Sequence, residues 1–557
     1  MSNQIIQAAQ DLGYFKAKKD AKRIEIIQYM ENNSPNWLYS QIEGVLLQES
    51  ARIVAEKARK IEEKAAKAAA REAKAAAKLA KELAKPLTSA QASRHCEVTN
   101  LPDGVYVCTV GQNNTPVNPE FFGALQTYCK ERGAQLLVAQ CTYNKNAFRH
   151  SDRPALETSA TDSEELYYAP ELMPSLVKGA VLLGGRVLFH ADANTSPTCA
   201  HPLTGWEGLT AAHGGVSVAV PATKIALHCI PAYKGAQANN LYSTGAVTQH
   251  NYILKKAGSV ASIGHAIGAL VVEVMGGEYT ARNVELMHGS DGFYDEGSYY
   301  TARGVTHGHC AEGYQFGDIH AENIQGDEWQ RALDNMQQFK PKNVYMHDSL
   351  DMRSRNHHNR ESAAFIMAQT VAGATVRGDI ERVGQVLQDV ACNLNPYSSI
   401  HIIESNHDCA LAAWCDDTRQ LTIDPVNAVT FLELNLAKYK AIQHGETMNM
   451  LEEALRRYSS VPDCVQFHVT DELVTCTGVQ QFHGHHGANG ARGGAAKGFA
   501  KMGLPTSSGH THSPSICGAS YVAGVVTITA DYAKGASNWR QASIVTWPNG
   551  QRQVIFY

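Results

Sequence analysis

Short runs of apolar and β-branched residues alternate with helical segments from about residue 100 to the end of this chain. The first unit consists of the run Val105–Val110, the helical spacing of Pro119–Arg132 and a second apolar run at Ala134–Ala139. A strand, a helix and a strand in such quick succession predict a βαβ unit with parallel strands. The fold class predicted from this alternation is α/β.

The same pattern continues through the middle of the chain. Further strand-like runs lie at Gly179–Leu188, Val216–Val220, Ile225–Ile230 and Leu270–Val274. We therefore predict an accessory α/β domain over residues 100–305, whose chemistry the sequence does not reveal. At the end of the chain, the turn dipeptide Asn549-Gly550 between two apolar runs predicts a β-hairpin.

The N-terminal part has a different composition. Residues 1–48 are predicted to form a small helical unit. Of residues 51–85, 14 are Ala and 11 are Lys or Arg, against 5 Asp or Glu, so one long helix or linker is predicted over 49–88. This segment is either a basic arm that touches phosphates or joins subunits, or a solvated spacer helix.

Charge and cysteine content exclude several classes. The formal net charge of -5 means that contact with nucleic acid would need a local basic patch rather than a basic total. The 13 cysteines include no Cys-x-x-Cys pair, which argues against a disulfide framework or a thiolate zinc site. With no recognisable signal peptide and no apolar run long enough to cross a bilayer, we expect a cytoplasmic protein without a membrane partner.

Polar side chains follow the strand-like runs of the C-terminal half. They are Asp318 and His320, then Asp348, then Asn406 with His407 and Asp408, then His483, and last His510 and His512. Because ligands gather outside the carboxyl ends of strands in open α/β sheets, these distant segments can converge. Each motif alone is weak evidence for a functional site, so the prediction rests on the whole set and its order along the chain.

The chemistry of this set favours divalent cations. Carboxylate and imidazole groups are ligands for hard or borderline divalent ions, and an aspartate between two ions can bridge them. Two ions about 3.5–4 Å apart lower the pKa of a shared water and clamp the attacking and leaving oxygens of a phosphate. The set therefore predicts a two-metal phosphoesterase centre.

The ordered set resembles the calcineurin-like metallophosphoesterase superfamily. The pattern of that family is Asp-x-His, Gly-Asp-x-x-(Asp or Arg), Gly-Asn-His-(Asp or Glu), His and Gly-His-x-His. The resemblance runs from residue 311 to about residue 535, and it implies a metallophosphoesterase domain over 311–557, a β-sandwich flanked by helices. In this chain His347 and Ser405 replace the family's glycines before Asp348 and Asn406, which puts the local turns in doubt but not the ligands.

The resemblance also implies a role for each matching residue. The first ion would be held by Asp318, His320, Asp348 and His512, and the second by Asp348, Asn406, His483 and His510. His407 would stabilise the transition state or act as general acid, with Asp408 orienting it. The fourth motif stays open: His483 is preferred because it ends the apolar run Val479–Phe482, His485 is the alternative, and His486 also competes.

Basic residues near these motifs are candidates for substrate binding. Arg492 and Lys497 lie in a glycine-rich stretch after the fourth motif, where backbone N–H groups could cradle phosphates, although a flexible loop would have the same composition. Arg353 and Arg355 follow Asp348, a position that suits a polyanionic substrate.

The whole layout is similar to that of large phosphoesterases of tailed bacteriophages, particularly the pre-early host-takeover proteins of virulent coliphages. This likeness implies a Mn²⁺-dependent DNase that degrades host DNA, with Mg²⁺, Fe²⁺ and Zn²⁺ as other metals to consider. The expected partners are DNA, held through its backbone without sequence preference, and further copies of the chain. The rival hypotheses are a phosphatase or phosphodiesterase for a small nucleotide, and a non-catalytic binding protein stabilised by metal.

Overall fold

The computed structural model describes residues 98–143, 167–233, 236, 238–355, 362–490, 493–527 and 535–557, together with Arg59, Glu63, Ala66 and Lys67. The chain falls into two units, Met1–Leu87 and Thr88–Tyr557. The predicted helical unit over 1–48 lies outside the described residues. Within the predicted helix over 49–88, the four described residues are helical. Among the described residues, no helix is both long and apolar enough to cross a membrane.

The second unit is a mixed α/β structure. Its strands are, in chain order, β1 (Val98–Leu101), β2 (Gly104–Gln112), β3 (Gln135–Cys141), β4 (Ala180–Leu183), β5 (Val187–His190), β6 (Ser217–Val220), β7 (Ala226–Cys229), β8 (Asn240–Ser243), β9 (Gly268–Met275), β10 (Glu278–Glu285), β11 (Gly292–Asp295), β12 (Ser298–Thr301), β13 (Gly304–His307), β14 (Gly313–Gln315), β15 (Asn343–Met346), β16 (Ser399–Ile403), β17 (Val465–His468), β18 (Val474–Cys476), β19 (Val479–Gln481), β20 (Thr506–Ser508), β21 (Ser515–Cys517), β22 (Ser520–Val522), β23 (Ala542–Thr546) and β24 (Arg552–Phe556). Its α-helices are α1 (Pro119–Arg132), α2 (Gly208–Ala212), α3 (Lys256–Ile263), α4 (Glu328–Phe339), α5 (Ala363–Val371), α6 (Val376–Cys392), α7 (Cys409–Asp416), α8 (Gln420–Ile423), α9 (Ala428–Gln443), α10 (Met450–Tyr458) and α11 (Ala496–Phe499).

The strands form several sheets. A six-stranded sheet has the order β17-β16-β15-β14-β23-β24, and an eleven-stranded sheet has the order β1-β4-β5-β6-β8-β7-β21-β22-β20-β19-β18. A four-stranded sheet (β10-β9-β2-β3) and a three-stranded sheet (β11-β12-β13) complete the described part. Strands β14 to β17 pair in parallel, because helices connect each of them to the next.

Several predicted elements are confirmed. The first βαβ unit is β2, α1 and β3, with β2 and β3 parallel. Asn118 caps α1 by accepting a hydrogen bond from the N–H of Phe121, and Gly133 ends it in the left-handed conformation. The C-terminal hairpin is β23 and β24. The run at Gly179–Leu188, predicted as one strand, is instead two antiparallel strands that turn at Gly184 and Gly185, both with positive φ.

Residues 100–305 share a sheet with the C-terminal segment, whereas the sequence predicted a separate domain. Strand β7 pairs with β21, so the eleven-stranded sheet combines strands from both sides of the predicted boundary. A strand pattern indicates which residues are extended, but it does not indicate which distant strands pair.

Buried apolar side chains hold the helices against the six-stranded sheet. Helix α4 buries Trp329, Leu333 and Met336, which share one face at helical spacing, against the strands β14 and β15. A second cluster contains Ile516 and Tyr521 of the eleven-stranded sheet together with Ile544 of the six-stranded sheet. The two sheets therefore pack through their apolar faces, and the loops at their ends are held close together.

Candidate metal centre

The predicted ligands come from the ends of strands in two different sheets. Asp318, Asp348 and Asn406 follow the parallel strands β14, β15 and β16 of the six-stranded sheet. His483 and His510 follow β19 and β20, which are parallel neighbours in the eleven-stranded sheet. The N–H of Asp318 donates to the carbonyl of Gly524 at 3.0 Å and so fastens one sheet to the other at this point. All five predicted segments meet there.

One group of ligand atoms matches the position predicted for the first ion. Nε2 of His512 lies 2.9 Å from Oδ2 of Asp318 and 3.1 Å from Nε2 of His320. Nε2 of His320 lies 3.7 Å from Oδ2 of Asp348. All four side chains are buried, and each offers one ligand atom within 4.8 Å of the others.

His483, from the second set of predicted ligands, lies beside the other oxygen of Asp348. Nε2 of His483 lies 3.5 Å from Oδ1 of Asp348 and 3.0 Å from Oδ1 of Asn406. The ring of His510 lies 5.2 Å from the ring of His483. Of the competing histidines in the fourth motif, His483 contacts Asp348 and Asn406, whereas the ring of His485 lies 6.2 Å from that of His510.

Asp348 lies between the two groups of predicted ligands. Its carboxylate is buried, and neither oxygen has a hydrogen-bond partner among the described residues. A buried carboxylate without such partners is costly unless a cation is bound to it. Because Oδ2 faces the first group and Oδ1 faces His483, Asp348 lies at the middle of buried His/Asp clusters that could hold a metal ion.

The electrostatic surroundings keep the carboxylates charged and two of the imidazoles neutral. Burial opposes ionisation of Asp318, but His512 and His347 hold the pKa of this carboxyl well below its usual value. Burial likewise opposes ionisation of Asp348, whose pKa is lowered by His483 and His407. Burial lowers the pKa of His483 to about 3 and also lowers that of His512. These are the protonation states that metal ligands require.

The backbone at the site is unusual. His320, Asp348, His510 and His512 all have positive φ, between 46° and 72°. Residues other than glycine seldom occupy this region, and each costs about 1–2 kcal/mol there. Such conformations persist because the surrounding structure fixes them, and here they turn the ligand side chains toward one another.

His347 is a residue of the site that stands out in the sequence only as a replaced glycine. It is fully buried, its Nδ1 lies 2.8 Å from Oδ1 of Asp318, and its Nε2 lies 2.9 Å from Nε2 of Gln315. The Asp318 carboxylate raises the pKa of His347 against the effect of burial. Gly509 leaves room for this pair, because a Cβ there would lie 2.2 Å from Cε1 of His347. His347 thus holds Asp318 in place.

The carboxylate beside Nδ1 of His407 is that of Asp351, and the orienting role implied for Asp408 stays a prediction. Nδ1 of His407 lies 2.8 Å from Oδ1 of Asp351, which also lies 3.1 Å from Nδ1 of His320. Asp408 instead accepts the backbone N–H groups of Leu350 and Ser405, each at 3.0 Å. Burial, reinforced by the charge of Asp348, raises the pKa of Asp408 to about 6.

His407 is placed to hold a proton at the edge of the site. Burial opposes its protonated form, but the carboxylates of Asp348 and Asp351 raise its pKa to about 10. Its side chain is 16% exposed, whereas that of Asp351 is almost completely buried. The ring is therefore accessible to a ligand while its far side is fixed.

The predicted substrate-binding residues lie in different environments in the fold. Arg355 is fully buried and forms a two-pronged ion pair with Asp424 at 2.5 and 2.7 Å, so it is a structural residue and not a phosphate contact. Arg353 is half-buried and donates to the carbonyl of Glu322 at 3.3 Å. Lys497 is exposed on α11, and Arg492 lies outside the described residues.

The chain has a clear relative among known proteins. It is 37% identical to "Protein A1" of Escherichia phage T5 over 465 residues, which cover 81% of this chain and 81% of that protein. The chain belongs to the protein A1 family. No protein-family model matches the chain, and neither does any solved structure. Because the match with protein A1 is longer than residues 311–557, the relationship extends beyond the segment that carries the site.

Proposed function

We propose that this protein is a two-metal-dependent phosphodiester hydrolase, most specifically a Mn²⁺-dependent DNase that acts in phage-directed takeover of the host and degradation of its DNA. The observation that supports it is Asp348, a buried carboxylate that faces one group of ligand atoms with each oxygen. We further propose that the packed six-stranded and eleven-stranded sheets correspond to the sandwich of the calcineurin-like metallophosphoesterases.

Each cation would be held by residues that follow strands of both sheets. Asp318, His320 and His512 would hold the first ion and Asn406, His483 and His510 the second, with Asp348 shared. A pair of divalent ions, when bound, neutralises phosphate charge and lowers the pKa of water. The mixture of carboxylate, amide and imidazole ligands suits Mn²⁺, and it also admits Mg²⁺, Fe²⁺ and Zn²⁺.

His407 would contribute the proton that the leaving oxygen needs. Its protonated ring is fixed by Asp351 and partly exposed beside the ligand groups. From this position it can donate a hydrogen bond to a phosphate oxygen or protonate the leaving alkoxide. Positive charge of bound cations would lower its pKa from about 10 toward neutrality, where proton transfer in both directions is effective.

DNA is proposed as substrate because the family includes a phage protein and because basic residues follow the site motifs in the sequence. Exposed Lys497 and half-buried Arg353 are candidates for backbone phosphate contacts. Such contacts carry no sequence information, so binding should weaken steeply with salt and be similar for unrelated sequences.

The test is to incubate the purified full chain with plasmid DNA and with bis(p-nitrophenyl) phosphate, each with Mn²⁺ and with EDTA. Mn²⁺-dependent breakdown of DNA that EDTA abolishes is the expected result. Cleavage of the small ester with intact DNA would select a small-nucleotide phosphodiesterase. Inactivity on both, with Mn²⁺ still bound, would select a metal-stabilised binding protein. A His444→Ala variant, which changes an exposed histidine after α9, serves as the control for His407→Ala.

We also propose that copies of this chain associate through α9. Its residues Val429, Leu432, Leu436 and Tyr439 are all more than half exposed, and they recur at alternating spacings of three and four. This spacing is that of a helix seam that pairs with its own copy. A Leu432→Glu, Leu436→Glu double variant should therefore have a lower molar mass by light scattering than the wild type. An unchanged mass would refute the proposed seam.

A further inference from the structure

Three residues beside the centre form a cluster that the two ligand groups do not use. Asp471 lies on the loop between β17 and β18, and His485 and His486 follow His483. Nδ1 of His486 lies 2.5 Å from Oδ2 of Asp471, and the rings of His485 and His486 are 4.2 Å apart. Each of the three residues offers one ligand atom within 4.8 Å of the others.

A surface ion pair explains only part of this arrangement. The side chains of Asp471 and His486 are 50% and 43% exposed, as expected for such a pair. His485, in contrast, is buried, and its Nδ1 has no hydrogen-bond partner among the described residues. A buried ring nitrogen without a partner needs a ligand of its own. The ion pair of its two neighbours does not provide one.

The chemistry of the cluster indicates a cation and not a phosphate. A phosphate would be repelled by the carboxylate of Asp471, which faces the same space as the imidazoles. Two imidazoles and one carboxylate are instead a common ligand set for borderline divalent ions, with positions left open for water or a ligand oxygen. The ring of His485 lies 5.3 Å from that of His483, so the cluster adjoins the centre but shares no residue with it.

We propose that Asp471, His485 and His486 bind a third divalent cation, of the class to which Zn²⁺ belongs. This inference does not depend on the proposed phosphodiesterase activity, because it rests on ligand atoms that are separate from those around Asp348. The open positions of such an ion would face solvent through the exposed sides of Asp471 and His486.

The test counts zinc bound to the full chain. Protein stripped with chelator is equilibrated with Zn²⁺, freed of excess metal and examined by elemental analysis and titration calorimetry. We expect three ions per chain in the wild type and two in Asp471→Asn and in His486→Gln. Glu472→Gln is the matched control, because Glu472 is the next residue and pairs with His468 at 2.9 Å, outside the cluster. It should keep three ions.

The outcomes separate this inference from the proposed function. Two ions in the wild type, with no loss in Asp471→Asn, would overturn the third site and leave the pair around Asp348 intact. Three ions in Asp471→Asn would also overturn it. If Asp348→Asn lost the two ions proposed around residue 348 but kept one ion, the remaining ion would support the third site. Circular dichroism of each variant establishes that the counts refer to folded protein.

Discussion

Gly509→Ala tests how tightly the centre is built around Asp318. An added Cβ would lie 2.2 Å from Cε1 of His347 and 2.3 Å from Oδ1 of Asp318. Non-bonded carbon atoms prefer separations of about 3.5–4.0 Å, so these groups would have to move by about 1 Å or more. Both side chains are fully buried, and the backbone N–H of His510 also donates to Oδ1 of Asp318. The atoms that would have to move are therefore those of the predicted ligand group itself.

Two effects of known size follow from this displacement. Overpacking of a dense interior costs about 1–3 kcal/mol, and we expect the free energy of unfolding of the metal-free protein to fall by that amount. Metal–ligand distances tolerate changes of only about 0.2 Å. Since disturbance of groups that orient ligands costs about 10- to 100-fold in affinity, we expect the affinity for Mn²⁺ to fall at least that far.

Gly498→Ala is the matched control, and both variants are compared by urea denaturation and by calorimetric titration with Mn²⁺. A Cβ on Gly498 would meet no atom within 4 Å, and the residue lies in α11. Alanine there should leave the affinity unchanged and raise the free energy of unfolding by up to about 1 kcal/mol. If Gly509→Ala bound Mn²⁺ as tightly as the wild type, the proposed crowding of Asp318 and His347 would be refuted.

Further predictions concern the residues around His407 and the buried arginine. His407→Ala should retain its ions by elemental analysis and lose about 10²- to 10⁴-fold in turnover, and loss of the ions would contradict its role as a proton donor. Asp351→Asn should lower the pKa of His407 in the metal-free protein from about 10, as followed by NMR titration, and an unchanged titration would exclude Asp351 as its partner. Because that pKa lies above the value of about 6.5 in an unfolded chain, the stability that His407 contributes is fully present below pH ~6.5 and is lost as the pH rises through about 10. The free energy of unfolding of metal-free His407→Ala should therefore depend less on pH in this window. Arg355→Ala should lower the free energy of unfolding by about 3–5 kcal/mol in denaturation experiments, because it leaves the Asp424 carboxylate buried and unpaired, and its effect on DNA binding should be no larger than its effect on stability.

The sequence identified residues that meet in the fold because each of them marks a sharp local change. A strand-like run that ends abruptly in aspartate, asparagine or histidine is visible without any knowledge of the fold, as at Asp348 after β15 and His483 after β19. In the structure β14, β15 and β16 are parallel neighbours, so their carboxyl ends lie at the same edge of the sheet. Local pattern was therefore sufficient to name residues that meet in space.

The parts that the sequence did not predict depend on contacts between distant segments. His347 interrupts a motif and appears only as a departure, yet in the fold it contacts Asp318 across two strands. Asp408 directly follows His407 in the sequence, yet the carboxylate oxygen 2.8 Å from Nδ1 of His407 belongs to Asp351, which lies in the loop after β15. Arg355 looked like a surface cation because its partner Asp424 is 69 residues away in sequence. Pairing of this kind leaves no local signal.

The most direct measurement is the anomalous diffraction of Mn²⁺-soaked crystals of the full chain, collected at the manganese absorption edge. We predict two peaks about 3.5–4 Å apart on opposite sides of the Asp348 carboxylate, one next to His320 and His512 and the other next to His483. A lone peak, or none within coordination distance of Asp348, would contradict the assignment of this carboxylate as the bridge between two cations.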